Sequence, residues 1–337
     1  MIRPATLADL DVMLRGYVET VKIQGEEEFL TRSVVDGLRD DIGKWIADDE
    51  HQVRVIDDAD GRAVGFIVFV FSQQVPYIPQ KATWWHRYLW VSLIWVDASV
   101  RGKGVAAQLM ASAEEHARHA GPVDFVYDDV YECNAASCKF HEKRGFQHFG
   151  NVVRRDLKLD ELRQSVAEQR AALPDVELRP FDGSREADVA AIRRGLVDIY
   201  AVEGAEGVEY GADDAAQDRE VERFKTQFGA HTTMACVAGA IVGWIVCSEQ
   251  SDTPYGCNYG EYWFKYADLS YVWVDAKERS RGLSRLLLDH ALVAVNNVTA
   301  ISSYAKNNPA SERWHEKNGF KLYVRIFRLP LQTRHRD

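Results

Sequence analysis

The sequence is short of basic charge, of cysteine motifs and of long apolar runs. Its 41 Lys and Arg fall behind 51 Asp and Glu, leaving a net charge of -10. That balance argues against a general nucleic-acid or anionic-membrane surface, because both are bound through clustered Lys and Arg. A cationic small substrate suits it better. The five cysteines, Cys133, Cys138, Cys236, Cys247 and Cys257, are an odd number without CxxC spacing. Neither a disulfide framework nor a zinc site is indicated, and no metal is expected. No stretch approaches the roughly 20 apolar residues that span a bilayer, and the opening MIRPATLADLD lacks a signal-peptide pattern, so a cytoplasmic location is the expectation. The P-loop pattern GxxxxGK[ST] and the dinucleotide fingerprint GxGxxG are both absent, which disfavours those two nucleotide folds.

What is present is enough apolar sequence for a packed core. Of 337 residues, 46% are hydrophobic and 27% charged, the mix of a globular protein, and the length predicts two domains. An internal repeat says where they fall. WVDA at Trp95 to Ala98 recurs at Trp273 to Ala276, and the same offset pairs Val64-Gly65 with Val242-Gly243, Ser92 with Ser270 and Arg101 with Arg279. FHEKRGF (Phe140 to Phe146) recurs as WHEKNGF (Trp314 to Phe320), four residues nearer. A period this long means a duplicated domain rather than a solenoid. The expected organisation is residues 1–157, a helical linker at 158–175 that contains DELRQSVAEQRAAL (Asp160 to Leu173), and residues 176–337. Each half reads as a short strand, a helical region, two strands joined by a turn, a long apolar strand, then helix, strand, helix and final strand. That order predicts an α/β (α+β) class with a mostly antiparallel mixed sheet flanked by helices.

The clearest chemical signal is WVDASVRGKGVAAQLM (Trp95 to Met110), where an apolar strand ends, RGKG turns and a small-residue helix begins. Glycines at 102 and 104 let the backbone curl and approach a ligand. The first helical N–H groups lack partners and carry the positive end of the helix dipole, which makes an anion site. An ordinary strand-to-helix turn, with glycine for geometry alone, is the competing reading. The second half has VDAKERSRGLSRLLL (Val274 to Leu288), in which only Gly282 survives.

Arg101-x-x-Gly104-x-Ala106, followed by Asn134-x-x-Ser137-x-x-Phe140-His141-Glu142-Lys143-x-Gly145-Phe146, resembles the ordered motifs of the GCN5-related N-acetyltransferases, the GNAT superfamily. The set returns as Arg279-x-x-Gly282-x-Ser284 and Asn308-x-x-Ser311-x-x-Trp314-His315-Glu316-Lys317-x-Gly319-Phe320. The resemblance therefore implies two tandem GNAT-like domains, the first with an intact acetyl-coenzyme A motif and the second with a degenerate one. It implies that backbone groups of Ile94, Trp95 and Val96 meet the pantetheine arm of acetyl-CoA, that Arg101, Gly102, Lys103, Gly104, Val105 and Ala106 hold the pyrophosphate, and that Asn134 lies beside the pantetheine.

Histidine stands at 141 and 315, where many members of the family place a proton-donating tyrosine. An imidazole there can act as acid or base near neutral pH; it can equally pack and hydrogen-bond without chemistry. The family's strand glutamate is missing from the first half, so Asp128 and Asp129 in FVYDDVYECN, with Glu132, are candidates for the base, and the second half offers Asp268 and Glu261. A shared site raises one pKa of an aspartate pair, whereas strand alternation sends neighbours to opposite faces. Aromatic clusters at Val75 to Trp90 and Thr253 to Tyr266 line an acceptor pocket or an interface. The resemblance implies acetyl transfer to the primary amine of a small molecule; a monomer or homodimer without nucleic-acid or membrane partners is the expectation. The alternatives are a non-catalytic acyl-CoA sensor, and acetylation in the C-terminal half instead.

Overall fold

A computed structural model describes residues 1–27, 30–47, 51–72, 88–121, 123–203, 214–250, 265–297, 299–306 and 308–331. Two compact units emerge, and they are not two runs of sequence. Of the described residues, the first takes those of 1–152 together with 322–331; the second takes those of 153–250 and 265–321.

In the first unit the chain runs β1 (Ile2–Pro4), α1 (Leu10–Ile23), α2 (Arg32–Ala47), β2 (His51–Asp57), β3 (Ala63–Ser72), β4 (Tyr88–Val96), α3 (Val105–His119), β5 (Phe125–Tyr131), α4 (Ala135–Lys143) and into β6 (Gln147–Asp156). Strands β1 to β4 pair antiparallel in sequence order, and β4 and β5 are parallel. Apolar side chains of both sheet faces are covered. On one face Ile67, Phe69, Leu89 and Val91 pack with Leu109, Met110 and Ala113 of α3. On the other, Phe66, Val68 and Trp95 pack with α1 and α2. The helices supply Met13, Tyr17 and Val21, then Val34, Leu38 and Ile42, buried at every fourth position so that one stripe of each helix faces the sheet. Gly16 lets α1 approach closely, since a Cβ there would lie 2.6 Å from both Phe66 and Trp95.

The second unit runs α5 (Leu159–Ala172), β7 (Val176–Pro180), α6 (Glu186–Glu203), α7 (Asp214–Phe228), β8 (Thr232–Val237), β9 (Ala240–Gln250), β10 (Tyr266–Val274), α8 (Leu283–Val295), β11 (Thr299–Ala305) and α9 (Pro309–Lys317). Strands β7 to β10 are antiparallel neighbours and β10 is parallel to β11. The helix expected in the linker is α5, and its Leu162 is buried in the core of this unit.

The last strand, β12 (Lys321–Pro330), pairs antiparallel with β5, from Val324 opposite Tyr131 to Pro330 opposite Phe125. It therefore completes the sheet of the first unit, while Val153 in β6 is buried in the core of the second. Cutting the chain between its repeats, at 157 and 176, thus separates β12 from the sheet that it completes. Duplicated strands have near-equivalent partners, which makes exchange of an identical element inexpensive. Among the described residues no helix is long and apolar enough to cross a membrane.

Candidate functional site

The RGKG segment forms the turn between β4 and α3. Asp97 Oδ1 accepts hydrogen bonds from Ser99 N–H and Oγ at 2.9 and 2.7 Å, and Arg101 Nε donates to the carbonyl of Val96 at 2.9 Å. Gly102 and Gly104 adopt φ of +77° and +81°, which side chains with a Cβ rarely take. Gly104 caps α3 in the left-handed conformation without a side-chain acceptor. The first helical bond runs from Gln108 N–H to Gly104 O at 3.1 Å. The N–H groups of Val105, Ala106 and Ala107 have no acceptor among the described residues, and Lys103 has no ion-pair partner there. Free amides, a positive dipole end and an unengaged lysine form a donor set fitted to an anion.

Beside the turn the sheet opens. β4 and β5 pair only from Tyr88 opposite Phe125 to Val91 opposite Asp128, although β4 continues to Val96 and β5 to Tyr131. Beyond Val91, β4 pairs on its other side with β3, so Ile94, Trp95 and Val96 lie opposite Ile67, Phe66 and Gly65. The edge of β4 towards β5 therefore carries backbone groups that β5 does not satisfy, and backbone polar groups need partners. Ser92 is bulged out of the β3–β4 ladder, with its Oγ donating to Val68 O at 3.2 Å. The Trp95 indole N–H donates to Glu19 at 2.9 Å, so its side chain is held on the α1 side of the sheet.

The two aspartates of β5 part company. Asp128 is buried on the α3–α4 side, where its Oδ2 lies 2.7 Å from His141 Nε2. His141 is completely buried, its Nδ1 lies 2.8 Å from Ser137 O, and its ring stacks on Phe327. Burial lowers the pKa of such a ring, but the charge and hydrogen bond of Asp128 outweigh it and hold His141 above the usual histidine range. Both ring nitrogens are thus engaged. Asp129 projects from the opposite face, partly exposed but with Oδ2 enclosed. Burial, and then the charge of Asp128, push its carboxyl well above the ordinary range, opposed by Trp90. Asn134 caps α4, its side chain accepting from Ser137 N–H at 3.2 Å.

Two features had no sequence signal. Glu26, in the turn after α1, is buried, and the hydroxyls of Tyr131 (3.5 Å) and Tyr323 both donate to it. Tyr323 comes from β12, whose pairing with β5 the repeat does not announce. The aromatic clusters lie at 75–87 and 253–264 outside the described residues, as does Glu261; Trp90 and Tyr266 are the described ends of those segments.

The second unit builds the same frame with other contents. β10 and β11 pair only from Ala267 opposite Ala300 to Leu269 opposite Ser302. Gly282 caps α8 at φ +92°, and Arg279 Nε donates to Val274 O at 3.2 Å. But Ser280 takes φ +68° where the first unit has Gly102, Arg285 N–H turns back onto Gly282 O at 3.0 Å, and Arg281 is bound by Glu278 and by Asp175 at 2.7 Å. His315 lies with Nε2 3.0 Å from Ser302 Oγ and Nδ1 2.8 Å from Ser311 O; burial lowers its pKa to about 4. Asp268 accepts from Ser270 Oγ at 2.5 Å. Among the described residues no cluster of His, Cys, Asp and Glu is arranged to hold a metal.

The sequence pattern of the acetyltransferase (GNAT) family matches twice, at residues 21–146 and 197–320. No curated protein matches. Among solved structures, a GCN5-related N-acetyltransferase from Sphaerobacter thermophilus superposes with a TM-score of 0.56 at 14% identity, over 98% of this chain and 95% of that one. The GCN5-related glucosamine N-acetyltransferase region of a fungal multi-domain β-N-acetylglucosaminidase gives 0.54 at 15% identity, over 98% of this chain and 38% of that one, so this chain spans well under half of that protein. A tandem GNAT protein from the clavulanic acid biosynthesis pathway gives 0.48 at 16% identity, over 98% of each chain. Identities this low speak for the fold alone.

Proposed function

The chain belongs to the acetyltransferase (GNAT) family, in tandem form, and from that premise we propose that it transfers an acetyl group from acetyl-CoA to the primary amine of a small molecule, in its first unit. One observation carries the choice of unit. Among the described residues the first turn leaves three helix amides and Lys103 unengaged, whereas in the second the equivalent arginine is held by two carboxylates and a helix amide is already bonded.

Arg101, Gly102, Lys103, Gly104, Val105 and Ala106 hold the pyrophosphate in this reading, and the unpaired edge of Ile94, Trp95 and Val96 takes the pantetheine arm, with Asn134 fixing the start of α4 beside it. When bound, acetyl-CoA supplies the activated thioester. The chain's own part is to orient the acceptor nitrogen, remove a proton from it and exclude water. The C-terminal unit keeps the opening between β10 and β11, which supports a second reading in which it is the acetylating half.

Gly104→Trp and Gly282→Trp separate the two. A Cβ at either position meets nothing within 4 Å, so each indole enters the space in front of its turn. Acetyl-CoA binding by calorimetry is expected to vanish in the first variant and to survive in the second; the reverse pattern transfers the activity to the C-terminal unit. Thermal stabilisation by acetyl-CoA, without thiol release across an amine panel, replaces catalysis with sensing.

A further inference from the structure

Two buried polar atoms of the first unit, Asp129 Oδ2 and Trp90 Nε1, have no well-formed hydrogen bond among the described residues where β4 and β5 part, although the indole N–H lies close enough to act on the Asp129 carboxyl. Trp90 is 93% buried, being 7% exposed. Its neighbours Leu89 and Val91 belong to the core on the α3 side, so strand alternation sends Trp90 to the other face. Val130, beside Asp129, belongs to that same α3-side core, so Asp129 also projects to the other face. Asp129 is moreover the first residue of β5 past the last pair with β4, Val91 and Asp128. An acceptor in oxygen and a donor in nitrogen thus face each other on one side of the sheet, at the mouth of the opening, short of a formed bond. Buried polar groups left in this state are uncommon and call for an explanation.

We propose that Asp129, faced by the Trp90 indole, receives the acceptor's ammonium group at the parting of β4 and β5 and takes its proton, an assignment that rests on the acetyl-transfer reading above. The N–H bond of the ammonium breaks, its electron pair stays on nitrogen for attack on the thioester carbonyl, and the proton passes to Asp129 Oδ2. After the thiolate leaves, the second nitrogen proton and the one on Asp129 go to the thiolate and to water. Burial favours the neutral carboxyl; an arriving cation favours the carboxylate, which the indole N–H then stabilises. Asp128 belongs to His141 on the far face and is left out of this chemistry. Among the described residues the ionisable groups around Asp129 are Asp128 behind it, Tyr127 and Tyr131 on its own strand, Glu26 at the Tyr131 hydroxyl, and Arg325 and Arg328 on β12. Glu132 engages Arg325, and Arg328 lies over the rings of Phe125 and Phe149.

The test uses the full chain with glucosamine, tyramine and putrescine as amine probes. Asp129→Asn is expected to lower kcat by about 100-fold or more, within the range for a general base, with the KM for acetyl-CoA unchanged, and to abolish the rise of kcat/KM with pH. Trp90→Phe keeps the ring and removes the donor, so it is expected to move that rise to higher pH with a smaller loss of rate. In the nitrogen–proton spectrum the Trp90 indole resonance is expected to titrate in the wild type and to stop titrating in Asp129→Asn. A rate within threefold of wild type with the pH limb intact in Asp129→Asn, or an indole resonance that ignores pH, overturns the proposal. Should the wild type acetylate none of the probes, the acetyl-transfer reading falls by itself, and the indole resonance still decides the proton-carrying role of Asp129.

Discussion

His141 and His315 occupy the same place in the two units and are shifted in opposite directions. Each ring is buried, each Nδ1 lies 2.8 Å from the carbonyl of the serine four residues earlier, and each Nε2 reaches the residue 13 positions before it, on the neighbouring strand. That residue is Asp128 in one unit and Ser302 in the other. The carboxylate holds His141 above the histidine range, while beside the hydroxyl burial wins and His315 falls to about 4. The repeated motif therefore fixes the position of the ring, and a residue outside the motif fixes its protonation.

The largest expected effect comes from removing that outside residue. Asp128→Ala strands a buried imidazole and breaks a buried ion pair, a change that costs about 3 kcal/mol or more. Ser302→Ala removes a neutral hydrogen bond worth about 1 kcal/mol. Hydrogen-exchange protection within each unit measures both. Equal losses would mean that the two rings are held by packing alone.

The same contrast predicts opposite responses to pH. A folded-state pKa raised above the unfolded one, as at His141, gives stability that is complete below the ordinary histidine pKa and is lost as pH rises through the folded value. Asp129, an acid whose pKa is also raised, pushes the first unit the same way: its folded form binds more protons, so stability falls as pH climbs past the ordinary carboxylate range. His315 runs in reverse. Its shift from 6.5 to about 4 means that the unfolded chain binds more protons between those values, so the second unit loses stability as pH falls through that window, by roughly 3 kcal/mol in all. Ser302→Asp is expected to abolish this acid sensitivity. If the acid limb survives in that variant, the titrating group is not His315.

Much of this frame was legible from residues. The WVDA and HEK repeats, the apolar strands and the turn at RGKG gave the mixed sheets, the helix starts and the glycines of positive φ. The exchange of β12 was not legible, because an alternating strand shows which face is buried and not which edge will pair with it. Nor was the shared face of Trp90 and Trp95. Strict alternation puts residues five apart on opposite sides, and the bulge at Ser92 slips the register by one and brings both to the α1 side. Glu26 had no motif at all; its burial depends on a tyrosine almost 300 positions away in sequence.

The smallest effect expected is at the turns themselves, where Ser280 sits at φ +68° and Gly102 at +77°. The left-handed conformation costs a residue with a Cβ about 1–2 kcal/mol, while glycine loses roughly 0.5–1 kcal/mol more in folding entropy. Ser280→Gly is therefore expected to stabilise the second unit by less than about 1 kcal/mol, and Gly102→Ser to weaken the first by a similar amount, both read from thermal unfolding. Mirror-image shifts would establish that the two turns have one backbone geometry and differ in what fills it. A Ser280→Gly variant that loses stability would show instead that the serine side chain makes a local contact worth more than the strain, and that the second turn was rebuilt around it rather than left to decay.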